Sequence, residues 1–314
     1  MPPQGVPPRR HDEILSYEEL LAFAETAVAA GISKVRVTGG EPLVRKGLVE
    51  FIARLAGLDG LTDISLTTNG ILLPRYAAEL RAAGLRRVNV SIDSLDARRY
   101  AELTRGARLS DALAGLDAAF AAGFAPVKVN AVLFSGCEDE VEGFVALTRR
   151  RDVHVRFIEY MPLDRHVAAG DTRVAAGATG VAAGGSGVAT GGTLVPAGVV
   201  LERLRRDHGV EPVTGPFGHG PAHYYRVPGA LGTIGFIAGV SDHFCGRCNR
   251  LRLTADGRLK TCLFSSAESE LDVRPLIGRP HELAQALAAA VAGKSFDRTA
   301  EMPDARRAMS QIGG

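Results

Sequence analysis

Tryptophan is absent from the 314-residue chain, and cysteine and methionine occur four times each. No apolar run approaches the roughly 20 residues that a membrane-spanning helix needs. The opening MPPQGVPPRRHDE lacks the apolar centre of a signal peptide, so a cytoplasmic protein that does not engage a membrane is expected. Excess charge of one sign is missing too. Lys plus Arg number 37 against 35 Asp plus Glu, a net +2, so no global field draws the chain to nucleic acid. Any anion binding must be local. Four cysteines in a reducing compartment are better read as ligands than as disulfides. What remains is ordinary for a globular protein, 46% hydrophobic and 23% charged, with length enough for two domains or for one large barrel with an extension.

Three of the four cysteines fall within eighteen residues, in FCGRCNRLRLTADGRLKTCLF, with the spacing C-x2-C-x13-C at Cys245, Cys248 and Cys262. Two thiolates on a tight Gly-containing turn can grip one metal centre, and a third returning across a hairpin turned at Thr254 to Gly257 can close it. A structural zinc would want a fourth ligand, for which His243 is the candidate. A 4Fe-4S cluster held by three cysteines would keep one iron open for a substrate atom. Spacing alone leaves both open. Arg247, Arg250, Arg252, Arg258 and Lys260 crowd the same stretch against Asp256, and a purely structural zinc has no use for an anion-attracting surround. The stretch therefore reads as an open site for an anionic ligand. Cys137, alone in FSGCEDE, reads as a structural or loop cysteine.

Upstream, a strand-helix cycle repeats. Ser16-Tyr17-Glu18-Glu19 is a capping box that starts a helix ending at Gly31. KVRVTGG follows as a strand, LVEFIARLA as a helix, then DISLTTNG, a helix from Pro74 to Ala83, and RVNVSID. A helix over Asp111 to Ala122 precedes VKVNAV, and one over Glu140 to Arg149 precedes VHVRFIEY. Each strand ends in a polar or Gly-rich loop, where a parallel barrel places its ligands. The pattern predicts an α/β fold, a partial (β/α)6 TIM-like barrel, with a doubly wound sheet as the alternative. Residues 168–193 are almost all Ala, Gly, Val and Thr, and read as a flexible loop. The expected units are a partial barrel over 1–160, a linker over 161–198, and a C-terminal region over 199–314. That last unit holds a helix Val199 to His208, the strand GTIGFI, the cysteine stretch and a helix His281 to Ala292.

Several motifs admit a bland reading beside a functional one. In TGGEPLVR the glycines let backbone approach a ligand and Glu41 could accept from an ammonium group, or the segment is a plain βα turn. Ser91 and Asp93 in VSIDS offer a hydroxyl and a carboxylate at a strand end, or they cap a helix. Arg36 and Lys128 are charges inside apolar strands: either they point outward, as strand charges commonly do, or, beneath covering helices, they meet a binding partner. Met161, after Glu159-Tyr160, would by itself be core.

Taken together, VRVTGGEPLVR, LTTNG, VNVSIDSLD, VKVNAV, IEYMP, GTIGFI, the cysteine stretch and the final IGG closely resemble the GTP 3′,8-cyclases, radical S-adenosylmethionine (radical SAM) enzymes of molybdenum cofactor biosynthesis. The resemblance implies a radical SAM barrel with a C-terminal auxiliary iron-sulfur cluster region. The implied reaction cyclises GTP to (8S)-3′,8-cyclo-7,8-dihydroguanosine 5′-triphosphate. S-adenosylmethionine would lie against Gly40, Ser91 and Met161. GTP would lie against Arg36, Thr67, Lys128, Arg250 and Arg252, with Cys245, Cys248 and Cys262 holding an auxiliary 4Fe-4S cluster beside the guanine. The catalytic set would be Arg250, Arg252 and the tail glycines Gly313 and Gly314. A reducing electron donor, a homodimer and a downstream cyclic pyranopterin monophosphate synthase are the implied partners. The chain departs from the pattern at one point. The second 4Fe-4S cluster of these enzymes takes a C-x3-C-x2-C loop at the end of the first barrel strand, and no such motif occurs here. The expectation is a barrel without its first strand, from a start site placed too late or a fragment, inactive as it stands. The alternatives are a non-catalytic relative that binds GTP and one cluster, and a zinc-knuckle scaffold.

Overall fold

The computed structural model describes residues 9–161, 195–215, 220–242 and 244–295. Tyr17–Ala29 forms α1, whose start is fixed by the expected capping box. Ser16 Oγ accepts from the Glu19 amide at 3.1 Å, and the Glu19 carboxylate accepts from the Ser16 amide at 2.7 Å. The cycle then runs β1 Lys34–Val37, α2 Leu48–Ala56, β2 Asp63–Thr68, α3 Leu73–Ala82, β3 Arg87–Ser91, α4 Ala97–Thr104, α5 Leu109–Ala121, β4 Val127–Leu133, α6 Val141–Arg150 and β5 Val153–Glu159. After it come α7 Ala197–His208, β6 Glu211–Val213, β7 His223–Arg226 and β8 Thr233–Ile237. The short strands β9 Arg252–Leu253, β10 Arg258–Lys260 and β11 Leu271–Asp272 precede α8 Pro280–Ala292. Helix α4 has no counterpart in the sequence reading. Its cap is Asp96, which accepts from the Arg99 amide at 2.8 Å.

One sheet carries eight strands in the order β1-β2-β3-β4-β5-β8-β7-β6. The first six are parallel, and β7 and β6 return antiparallel at the end. Each parallel strand is added on the same side of the one before. Right-handed crossovers then put the helices that link these parallel strands on one face. A doubly wound sheet would reverse its strand order partway, and this one does not. The architecture is a partial TIM-like barrel whose sixth parallel strand is β8, the GTIGFI segment.

The alternation along the strands follows from that arrangement. Val88, Val90, Val127, Val129, Val153, Val155, Ile234 and Phe236 are buried in a single core with Ile52, Leu80, Leu116 and Phe144 of the helices. The intervening positions, Ser65, Thr67, Asn89, Lys128, Asn130, His154 and Arg156, face the other way and are also buried. A second, smaller core joins Ala27 of α1 to Leu259, Val273, Leu283 and Leu287, seating the three-stranded sheet β11-β10-β9 and α8 beside the barrel. Among the described residues no helix is long and apolar enough to cross a membrane.

Candidate functional site

The polar face of the sheet is the candidate site. Its rows are set by register. Thr67 lies opposite Asn89, Asn89 opposite Lys128, Lys128 opposite His154 and His154 opposite Thr233. One row on, Asn130 lies opposite Arg156 and Arg156 opposite Gly235. Arg156 is pinned there. Its Nε donates to Asn130 Oδ1 at 2.9 Å and a terminal nitrogen donates to Asn89 Oδ1 at 2.8 Å, while the Asn89 amide donates to Thr67 Oγ1 at 3.2 Å. Tyr224 of β7 accepts, at its hydroxyl oxygen, a further hydrogen bond from Arg156. Its ring reaches inward only because β8 has no side chain at Gly235, where a Cβ would meet ring carbon Cε1 at 2.8 Å.

Cations converge on this face. Burial lowers the Lys128 ammonium to about 7, and Arg156, Arg87 and Arg36 push it the same way against Asp63, which pairs with Arg87. Arg36 stands at the open edge of the sheet with its side chain accessible. The protein around it nevertheless removes enough water to bring its guanidinium to about 9, aided by Arg156, Arg250, Arg87 and Arg252. Arg252 falls to about 10 through burial and then through Arg250. Sequence reasoning found Arg36, Lys128, Arg250 and Arg252. It missed Arg156 and Tyr224, although Arg156 breaks the apolar pattern of VHVRF as Lys128 breaks that of VKVNAV.

At the carboxyl ends of the strands stand the other predicted residues. Gly40 follows β1, with open space where a Cβ would project. Ser91 ends β3 and is buried. Met161 follows β5 and packs on Gly239, where a Cβ would meet its sulfur at 2.8 Å. Glu41 anchors its own turn. It accepts from Leu43 N at 3.0 Å, Thr68 Oγ1 at 2.7 Å and Asn69 N at 2.7 Å, and so ties the GGEP turn to the end of β2. Asp93 likewise accepts from Val132 N at 3.0 Å. Glu159, quoted in the EYMP turn but given no role from sequence, is 3% exposed. Its carboxylate takes the amides of Ala197, Val240 and Ser241, each at 2.9 Å, and the Ser241 hydroxyl. It fixes both the start of α7 and the loop on which Met161 rests.

The cysteine stretch forms the expected hairpin. Lys260 pairs with Arg252, and the turn closes with Gly257 N donating to Thr254 O at 3.0 Å. Cys245 opens a short 3-10 turn, Cys248 closes it, and Cys262 follows the second strand at the same open end of the hairpin; all three thiols are free and half-buried. The charges of Cys248 and Cys262 both reach Arg252, so the two limbs meet beside the cationic face. Burial would raise the Cys248 thiol, but hydrogen bonds from Arg250 and the charges of Arg250 and Lys294 hold it below the ordinary value. Among the described residues no three His, Cys, Asp or Glu side chains are gathered as one metal ion requires. A single zinc brings its sulfurs to about 2.3 Å from one centre, whereas a four-iron cluster gives each thiolate its own iron and needs wider spacing. Three free, partly exposed thiols in a cationic surround suit the cluster as a donor set. His243 and the tail glycines Gly313 and Gly314 lie outside the described residues.

The radical SAM cluster is another matter. Cys137, the remaining cysteine, is 4% exposed within the apolar core, and burial pushes its thiol up to about 12. The cysteines of residues 1–314 do not fit that cluster, and no chemical step through it follows from them.

An α/β barrel with a cation-lined interior and an adjoining cysteine hairpin defines a class. Residues 2–147 match the radical SAM superfamily and residues 184–300 match Molybdenum Cofactor Synthesis C. Across 319 residues the chain is 45% identical to a GTP 3′,8-cyclase of Pelotomaculum thermopropionicum and 41% identical to one of Alkaliphilus oremlandii. In each case the alignment takes in 100% of this chain and 92% of the relative. Over 278 residues it is 45% identical to the GTP 3′,8-cyclase of Geobacter sulfurreducens, covering 88% of this chain and 78% of the relative. The chain belongs to the GTP 3′,8-cyclase family of radical SAM proteins.

Proposed function

We propose that the chain binds GTP for the reaction its relatives' name states, conversion to the 3′,8-cyclised dihydroguanosine triphosphate in the first step of molybdenum cofactor biosynthesis; the cysteines of residues 1–314 do not supply the radical SAM cluster that turnover requires. The observation that carries this reading is the gathering of Arg36, Lys128, Arg156, Arg250 and Arg252 about one face, close enough that their neighbours' charges help to lower the pKa values of Arg36, Lys128 and Arg252. Positive charge concentrated in this way, with Lys128 and Arg156 buried, attracts a ligand that carries several negative charges. The triphosphate would lie over Arg36, Thr67, Lys128 and Arg156, and the guanine toward Arg250, Arg252 and the open iron of a cluster on Cys245, Cys248 and Cys262. When bound, that cluster supplies a Lewis-acidic iron for the base; the protein's own part is to orient the nucleotide and exclude water. Gly40, Ser91 and Met161 would hold S-adenosylmethionine at the carboxyl ends of β1, β3 and β5. Gly313 and Gly314 would complete the site from the tail. The same reading takes in a cytoplasmic homodimer, served by a reducing donor and passing product to cyclic pyranopterin monophosphate synthase.

The test is calorimetric titration with GTP, which needs no turnover and suits the chain as it is. Arg252→Ala should weaken GTP binding about tenfold or more, the scale of a lost charge-assisted hydrogen bond, and leave reconstituted iron unchanged. Unaltered affinity in that variant would refute the placement of the nucleotide.

A further inference from the structure

Lys294 follows α8 and is 8% exposed, an ammonium group buried outside the barrel and absent from any motif read in the sequence. An ammonium has three donor hydrogens, and three acceptors surround this one. Nζ donates to Arg250 O at 2.6 Å, to Thr261 O at 2.8 Å and to Cys248 Sγ at 3.5 Å. Arg250 lies two residues beyond Cys248, and Thr261 directly precedes Cys262. One side chain therefore ties the limb that carries Cys248 to the limb that carries Cys262, and presents a positive charge to a thiol that would bear negative charge as a ligand.

We infer that Lys294 is a positioning residue for the cysteine centre: it holds the two limbs at the separation a cluster requires and donates a hydrogen bond to the ligating sulfur of Cys248. The inference rests on the reading of Cys245, Cys248 and Cys262 as cluster ligands. Two consequences follow. Preassembly of the limbs favours retention of iron, since partners of this kind typically change metal affinity by about 10- to 100-fold. Hydrogen bonds to cluster sulfurs and nearby positive charge favour the reduced state and raise the reduction potential. The same contact fixes the backbone of Arg250, so the ammonium also sets where the nucleotide-facing arginine begins.

The protein is reconstituted anaerobically with ferrous iron and sulfide. Iron loss to a chelator and the midpoint potential are then measured for the wild type, Lys294→Met and Lys294→Arg. Thermal unfolding of the iron-free forms shows whether each variant folds. The expected result is about four irons in the wild type, at least tenfold faster loss from the Met variant with a more negative potential in what remains, and substantial recovery with Arg, which keeps a cation and donors. Wild-type retention and potential in the Met variant would overturn the role, and so would an Arg variant as defective as Met, because packing rather than charge would then explain the loss. A wild type that takes up no iron would overturn the cluster reading itself, and this role with it.

Discussion

Single residues at this site divide into those that face a ligand and those that hold the first group in place. Glu159 is the plainest of the second kind. Two carboxylate oxygens take three amides and a hydroxyl from segments 38 to 82 positions away along the chain. Removing such an acceptor strands buried donors, at about 1–3 kcal/mol for each that water cannot reach. Glu159→Ala should therefore cost about 3 kcal/mol or more in urea unfolding, while Glu159→Gln, which keeps one acceptor oxygen, should cost less. A neutral Ala variant would mean that the loop of Val240 and Ser241 is held by something else. The sequence made the charged positions of Arg36 and Lys128 legible because each interrupts an apolar strand. It could not reveal Glu159 or Lys294. Their partners are backbone groups of segments that only the folded chain brings near, and no local pattern records them.

Elements were easier to read than their junctions. The alternation of apolar residues along β1 to β5, V-x-V in all but the I-x-L of β2, and the turn at Thr254 to Gly257 are local signals, and both stand as expected. Helix α4 was not, because its eight residues, rich in charge, carry little periodicity beyond Tyr100 and Leu103. The membership of β8 in the barrel was hidden for another reason. More than seventy residues separate it from β5, and a five-residue apolar segment does not state its neighbour. Between β7 and β8 a further prediction arises. If Tyr224 orients Arg156 by crossing over Gly235, then Tyr224→Phe and Gly235→Ala disturb the same contact by different routes. The first removes the hydroxyl; the second pushes a methyl group into the ring, a strain typically of about 1–3 kcal/mol. Each should lower GTP affinity, and the double variant should fall well short of the sum, as coupled positions do. Additive effects, or an unchanged Tyr224→Phe, would separate the tyrosine from the arginine.

For the molecule as a whole, the cationic face ought to make stability depend on pH and on ligand together. Lys128 titrates near 7 in the folded chain and near 10.4 when unfolded. Between those values the unfolded chain binds a proton that the folded chain does not, so the ligand-free protein gains stability as pH rises through that window. One such group contributes at most about 1.4 kcal/mol per pH unit. The difference between wild type and Lys128→Met, followed by urea unfolding from about pH 7.5 to 9.5, removes the titrations that do not couple to Lys128. A bound triphosphate reverses the preference, because it favours the charged ammonium and carries the folded value back toward the unfolded one. Saturating GTP should therefore raise stability by about 2.7 kcal/mol at a hundredfold excess over Kd and flatten the pH dependence at the same time. Salt should shrink the gain, since the contacts are ionic and partly open at the edge beside Arg36. If GTP stabilises the protein yet leaves the slope intact, the nucleotide binds away from Lys128, and the cations of the barrel face must answer to a different anion.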